Sequence, residues 1–166
     1  TGAMELIKKM LASVSVDQRV LLLIIYEPRT LHDSSLSLST HTILANDMGD
    51  SAMAYDLFRR AAAIDMGPNM KTSDAGIHAA SIAGIWQSVV FGFGGVRMLE
   101  GRLRIDPKLP KAWSALDFYI YWKGQKLHVE IDKTALKVTN LTATAPVTLS
   151  VNGTEHAFTA VLTETL

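Results

Sequence analysis

The 166-residue chain contains no cysteine, which excludes disulfides and thiolate metal sites and is compatible with a reducing, cytoplasmic setting. It carries no net charge, since 16 Lys and Arg balance 16 Asp and Glu. A neutral chain lacks the electrostatic footprint that nucleic acid or an anionic membrane would recognise. Long apolar runs are missing as well. Val20 to Ile25 is apolar, but Arg19 and Glu27 flank it; a spanning helix needs about 20 such residues, and a signal peptide follows its apolar run with small residues. There is no internal repeat and no low-complexity tract. The five histidines show no His-Glu-x-x-His or comparable spacing, so no metal site is expected. The tract Phe91-Gly92-Phe93-Gly94-Gly95 lacks the lysine and Ser/Thr of a P-loop and reads as a helix-to-strand turn.

What is present is a core: 48% of the residues are apolar, enough for one ordinary domain or two small associated ones. The pattern changes near Gly95. Before it, apolar residues recur at helical spacing; after it, they alternate. Helices are predicted within residues 4–25, at 36–46 with Asp50 capping the next one, at 51–65, and at about 74–91. The last is apolar nearly all round, so packing on most of its sides is expected. From Val96 onward the reading is β. Leu116–Trp122 and Leu127–Ile131 alternate around Lys123-Gly124, and Val147, Leu149 and Val151 lead into Asn152-Gly153, the favoured hairpin pair. The expected class is α+β: a helical segment over 1–95, then a small antiparallel β-sandwich over 96–166.

Two polar stretches abut helix starts: Tyr26 to Ser35 and Gly67 to His78. A helix N-terminus offers free backbone N–H groups and partial positive charge, which suits anions. Ser34 and Ser35 add hydroxyl donors, and Arg29, His32, Lys71 and His78 add cationic ones. The same residues also serve as plain helix caps, in particular Asp33, Ser34, Ser73 and Asp74; pattern alone favours capping and leaves an anion pocket open. His41, in mid-helix, is expected to be satisfied by packing, and His128 and His156 to be solvated. Trp86, Trp113 and Trp122 are expected in core or interface packing rather than in a sugar-stacking surface.

Three strings decide between capping and chemistry. Tyr-Glu-Pro-Arg-Thr-Leu-His-Asp-Ser-Ser-Leu-Ser (26–37), Gly-Pro-Asn-Met-Lys-Thr-Ser-Asp-Ala-Gly-Ile-His-Ala-Ala-Ser (67–81) and Gly-Ile-Trp-Gln-Ser-Val-Val-Phe-Gly-Phe-Gly-Gly-Val-Arg (84–97) resemble glycoside hydrolase family 65 in order and spacing. That family holds maltose, trehalose, kojibiose and nigerose phosphorylases and some hydrolases. The resemblance implies that the helices are the last of an (α/α)6 barrel and that the β part is the C-terminal domain. It implies inverting phosphorolysis of an α-glucosidic disaccharide such as maltose, to β-glucose 1-phosphate and a sugar. A glutamic acid protonates the glycosidic oxygen, and phosphate attacks where an inverting hydrolase places water. Ser34, Ser35 and His78 are then the phosphate-binding residues, with Lys71 as a weaker member and Asp33 and Asp74 structural. No cofactor is implied, inorganic phosphate being the co-substrate. The resemblance places the general acid upstream of these motifs, so the chain is expected to be inactive alone and to self-associate as a homo-oligomer through exposed helix surface. Residues 4–25 are expected to lie outside the resemblance. Two other functions fit the same residues: a family 65 hydrolase, and a noncatalytic β-sandwich interaction module.

Overall fold

The computed structural model describes residues 25, 27–30, 36–66 and 76–166. The helix predicted within 4–25 lies almost wholly outside them. A 3-10 turn, Glu27–Arg29, precedes helix α1, Ser37–Asp47, and helix α2, Ser51–Ala62. Asp50 caps α2, its carboxylate accepting from the Met53 amide at 2.9 Å. One side of α2 is buried through Ala54, Leu57 and Ala61, the i, i+3, i+7 positions that one helix face presents. Helix α3, Ala79–Gln87, runs straight into a π-helical turn, Ser88–Phe93. Among the described residues, no helix is long and apolar enough to cross a membrane.

Two expectations for these helices need correction. The helix expected from 74 starts at Ala79, because Gly76 has φ 154° and His78 sits at ψ 80°, outside helical space. It is also not enclosed: Trp86 and Ile82 are about half exposed and Ile77 more so, so one apolar face is open among the described residues.

The β part contains eight strands: β1 Val96–Leu99, β2 Arg102–Ile105, β3 Ala115–Trp122, β4 Gln125–Asp132, β5 Ala135–Asn140, β6 Val147–Val151, β7 Thr154–Phe158 and β8 Val161–Thr165. They form two four-stranded sheets, ordered β1-β2-β6-β7 and β3-β4-β5-β8. Every pairing is antiparallel apart from β2 with β6, which meet in parallel at Arg104 and Ser150. Alternation puts Leu127, Val129 and Ile131 of β4 and Leu136 and Val138 of β5 inward, against Leu103, Ile105, Leu149 and Val151 of the other sheet. The turns Lys123-Gly124 and Asn152-Gly153 hold positive φ at both positions, the backbone that a two-residue hairpin between right-twisted strands requires.

Helices and sandwich are welded through the π-helical turn. Val90 enters the sandwich core, while Phe93 enters the helical core with its ring edge-on to Phe58 and Trp113 at 5.5 and 5.0 Å. Polar bonds close the seam. Buried Asn46, at the end of α1, donates to the Gly92 carbonyl at 2.9 Å. Lys108 donates its ammonium to the Asn46 and Asp47 carbonyls at 3.2 and 3.0 Å. Arg97 pairs with Asp47 and donates to the Phe91 carbonyl. His156 is not solvated as expected: its Nε2 is buried, 3.6 Å from Glu164. His128 stacks on Tyr119 at 4.5 Å and lies 3.3 Å from Asp117.

Candidate functional site

The two polar stretches lead into α1 and α3, and the packing of those helices fixes how their ends relate. A Cβ added at Gly84 would stand 2.6 Å from Ser39 Oγ, so glycine there permits the close approach. Ser88 donates to the Ser39 carbonyl at 3.2 Å. Further along both chains, Ile43 abuts Gly92 and Asn46 bonds its carbonyl. Early residues meet early ones and late meet late, so α1 and the α3–π run are parallel. Their N-termini therefore open at the same end. α1 starts two residues after Ser35, and α3 starts at the residue after His78. Two parallel N-termini side by side add their partial positive charges; at α3 the Asp65 carboxylate accepts from the His78 N–H, and the Ala79 and Ser81 N–H groups donate to the Ile77 and His78 carbonyls.

His78 is the predicted site residue that falls within the described region. Its Nδ1 lies 2.6 Å from Asp65 Oδ1, and its backbone N–H donates to Asp65 Oδ2 at 3.0 Å. Asp65 follows α2 on the turn Ala63–Met66, beside buried Ile64. The hydrogen bond from the His78 side chain, with a smaller contribution from its backbone N–H, holds the Asp65 carboxyl below its ordinary value, because hydrogen bonds to the ionised form favour it. The carboxylate is thus ionised and acceptor-only at neutral pH.

The remaining candidates are distributed as follows. Ser34, Ser35 and Lys71, with His32, Asp33, Ser73 and Asp74, lie outside the described residues. Arg29 donates its guanidinium to the Ile25 carbonyl. His41 pairs through Nδ1 with Glu27, tying the first polar stretch to α1. Asp65 was not singled out by sequence reasoning, because nothing in a helix-end aspartate 13 residues before a histidine signals a contact. No group of three or more His, Asp or Glu side chains able to hold a metal occurs among the described residues.

Two models of one family match the chain. The glycosyl hydrolase family 65 central catalytic domain covers residues 10–87, and the C-terminal domain of the same family covers residues 96–158; the expectation that residues 4–25 lie outside the family is thereby overturned from residue 10 onward. The chain belongs to glycoside hydrolase family 65. Family 65 relatives include the kojibiose phosphorylase of Halothermothrix orenii, 49% identical over 116 residues, which are 70% of this chain and 15% of that protein. The alpha,alpha-trehalose phosphorylase of Thermoanaerobacter brockii is 45% identical over 108 residues, 65% of this chain and 14% of that protein. The solved structure named "Putative kojibiose phosphorylase from human microbiome" superposes with a TM-score of 0.87 at 31% identity, covering 95% of this chain and 23% of its own. The chain thus spans about a sixth of the length of the curated relatives it matches, and the family 65 architecture of helices followed by a C-terminal β-sandwich is the one described above.

Proposed function

We propose that this chain forms the phosphate-binding end of the active site of an inverting disaccharide phosphorylase. Ser34 and Ser35 donate hydroxyls, His78 donates from its ring, and Lys71 adds charge, around the paired N-termini of α1 and α3. The observation that carries the reading is the placement of His78. Asp65 grips it at the head of a helix that runs parallel to the one following the serine pair. Such a set binds an anion without turning a carboxylate toward it, as phosphorolysis requires; a carboxylate facing the ligand would instead favour water. Phosphate held here attacks the anomeric carbon opposite to the group that protonates the glycosidic oxygen, giving β-glucose 1-phosphate. The names of the relatives favour kojibiose or trehalose over maltose as the disaccharide.

The test is calorimetric titration of the chain with inorganic phosphate, beside a Ser34→Ala, Ser35→Ala, His78→Ala triple variant whose fold is checked by circular dichroism. Saturable binding that the triple variant loses is the expected result. A folded chain that binds no phosphate overturns the reading. Mixing the chain with the complementary part of a family 65 phosphorylase and following phosphate-dependent cleavage of kojibiose or trehalose then separates a phosphorylase from a hydrolase, which cleaves equally well without phosphate.

A further inference from the structure

We infer that Asp65 decides which nitrogen of His78 meets the anion, and that the site takes up a proton when the anion binds. The inference rests on the phosphate reading above. Asp65 grips His78 at two points, ring and backbone, which fixes the imidazole's direction as well as its distance. Turning the ring over would place a carbon against the carboxylate, so Nδ1 is the inward atom. An ionised carboxylate only accepts, so Nδ1 carries a hydrogen. Nε2 is left as the outward nitrogen.

With that single proton, Nε2 presents a lone pair, which repels an anion. With a second proton it becomes a charged donor, and Asp65 balances the imidazolium. Binding through Nε2 of an anion without an acidic hydrogen therefore draws a proton from solvent to His78 whenever the ring starts neutral, whereas hydrogen phosphate can supply that proton from its own P–OH. Among the described residues, Asp65 is the carboxylate within 4 Å of the ring. α3 itself carries no charged residue. Of the helices packed on it, α1 offers His41, paired with Glu27, and Asp47, paired with Arg97. α2 offers Asp56 and Arg60, paired with each other, and exposed Arg59. Asp65 is thus a positioning residue: it touches His78 and not the anion.

The test has two parts, both on the full chain. Nitrogen-15 NMR of His78 at pH 8 without ligand reads the tautomer; the Nδ1–H form is expected, reverting to a mixture in Asp65→Ala. Calorimetry at pH 8 in two buffers of different ionisation enthalpy then reads proton uptake, with sulfate as the probe because it does not titrate there. Net proton uptake on sulfate binding is expected. Asp65→Ala should weaken binding by about tenfold or more, whereas His78→Gln, which keeps a neutral donor, should bind weakly with no proton uptake. An Nε2–H ring in the wild type, or sulfate binding without proton uptake, overturns the inference and leaves the phosphate reading standing. Failure of a folded chain to bind either phosphate or sulfate overturns the phosphate reading and the proton coupling with it.

Discussion

Replacing Gly95 by alanine should destabilise this chain far more than the same change at Gly101, although the two glycines share almost one backbone conformation, φ 67° and 73°. An L-residue in that region costs about 1–2 kcal/mol, and Gly101→Ala should cost about that much, since a Cβ there meets nothing within 4 Å. At Gly95 the new Cβ would stand 1.9 Å from the Asp106 carbonyl oxygen and 2.3 Å from its carbon. That contact is backbone on backbone, so no rotamer relieves it. The chain must part by more than an ångström where Asp106 donates to the Gly95 carbonyl at 3.2 Å and Lys108 to the Phe93 carbonyl at 2.9 Å. Losing two bonds of about 1 kcal/mol each, on top of the conformational cost, puts Gly95→Ala at about 3–4 kcal/mol. Urea unfolding followed by tryptophan fluorescence measures both variants against the wild type. Equal losses for the two would refute the reasoning, because they would mean that the junction between helices and sandwich does not depend on this approach.

Other outcomes follow from single contacts. Phe93→Ala removes a fully buried ring from a cluster with Phe58 and Trp113 and should cost about 3–5 kcal/mol, with a shift in tryptophan emission. Asp65→Asn should lower stability at neutral pH, and the difference should vanish in acid. The folded carboxyl lies below its ordinary value of 3.8, so its stabilisation is fully present above 3.8 and is lost as the pH falls through the folded value; denaturation at pH 7, 5 and 3 checks the trend. The open apolar face of Ile82 and Trp86 should drive self-association, seen by light scattering at high concentration, and Ile82→Lys with Trp86→Lys should abolish it.

The sandwich was legible where period-two alternation is unbroken. β3 and β4 bury every second residue, and their turn and the one after β6 announce themselves by glycine. Strands β5 and β8 went unread, because β5 follows an Asp132-anchored turn without a hairpin dipeptide and β8 buries little. α2 was read from its first residue, since its cap and stripe are both local signals, and three residues past its end at Ala62. The start of α3 was misplaced by about five residues, because the residue that stops it, Asp65, binds the His78 amide from 13 positions away. Such a contact has no local signature. His156 failed for a similar reason: its partner on β8 is invisible to a reading of β7 alone.

The position of the seam gives the sandwich a part in the site's geometry. Asn46, Asp47, Lys108 and Arg97 join the C-terminal ends of α1 and of the α3–π run to the start of the β part. None of these bonds lies at the end where the polar stretches enter the helices. Because α1 and α3 are parallel, fixing their late ends in register also fixes their early ends, with Ser39 against Gly84 and Ser88 setting the spacing between. A packed helix transmits such a constraint with little loss, since its interior is nearly incompressible. Asn46→Ala should therefore act at a distance. It removes a buried donor and leaves the Gly92 carbonyl with the Gly95 N–H alone, at a cost of about 0.5–1.5 kcal/mol, and it should also weaken phosphate binding at the far end of the helix. Lys111→Ala, on an exposed site of the same β part, should do neither. If Asn46→Ala lowers stability yet leaves phosphate affinity unchanged, the seam holds the two parts together without setting the register of the site.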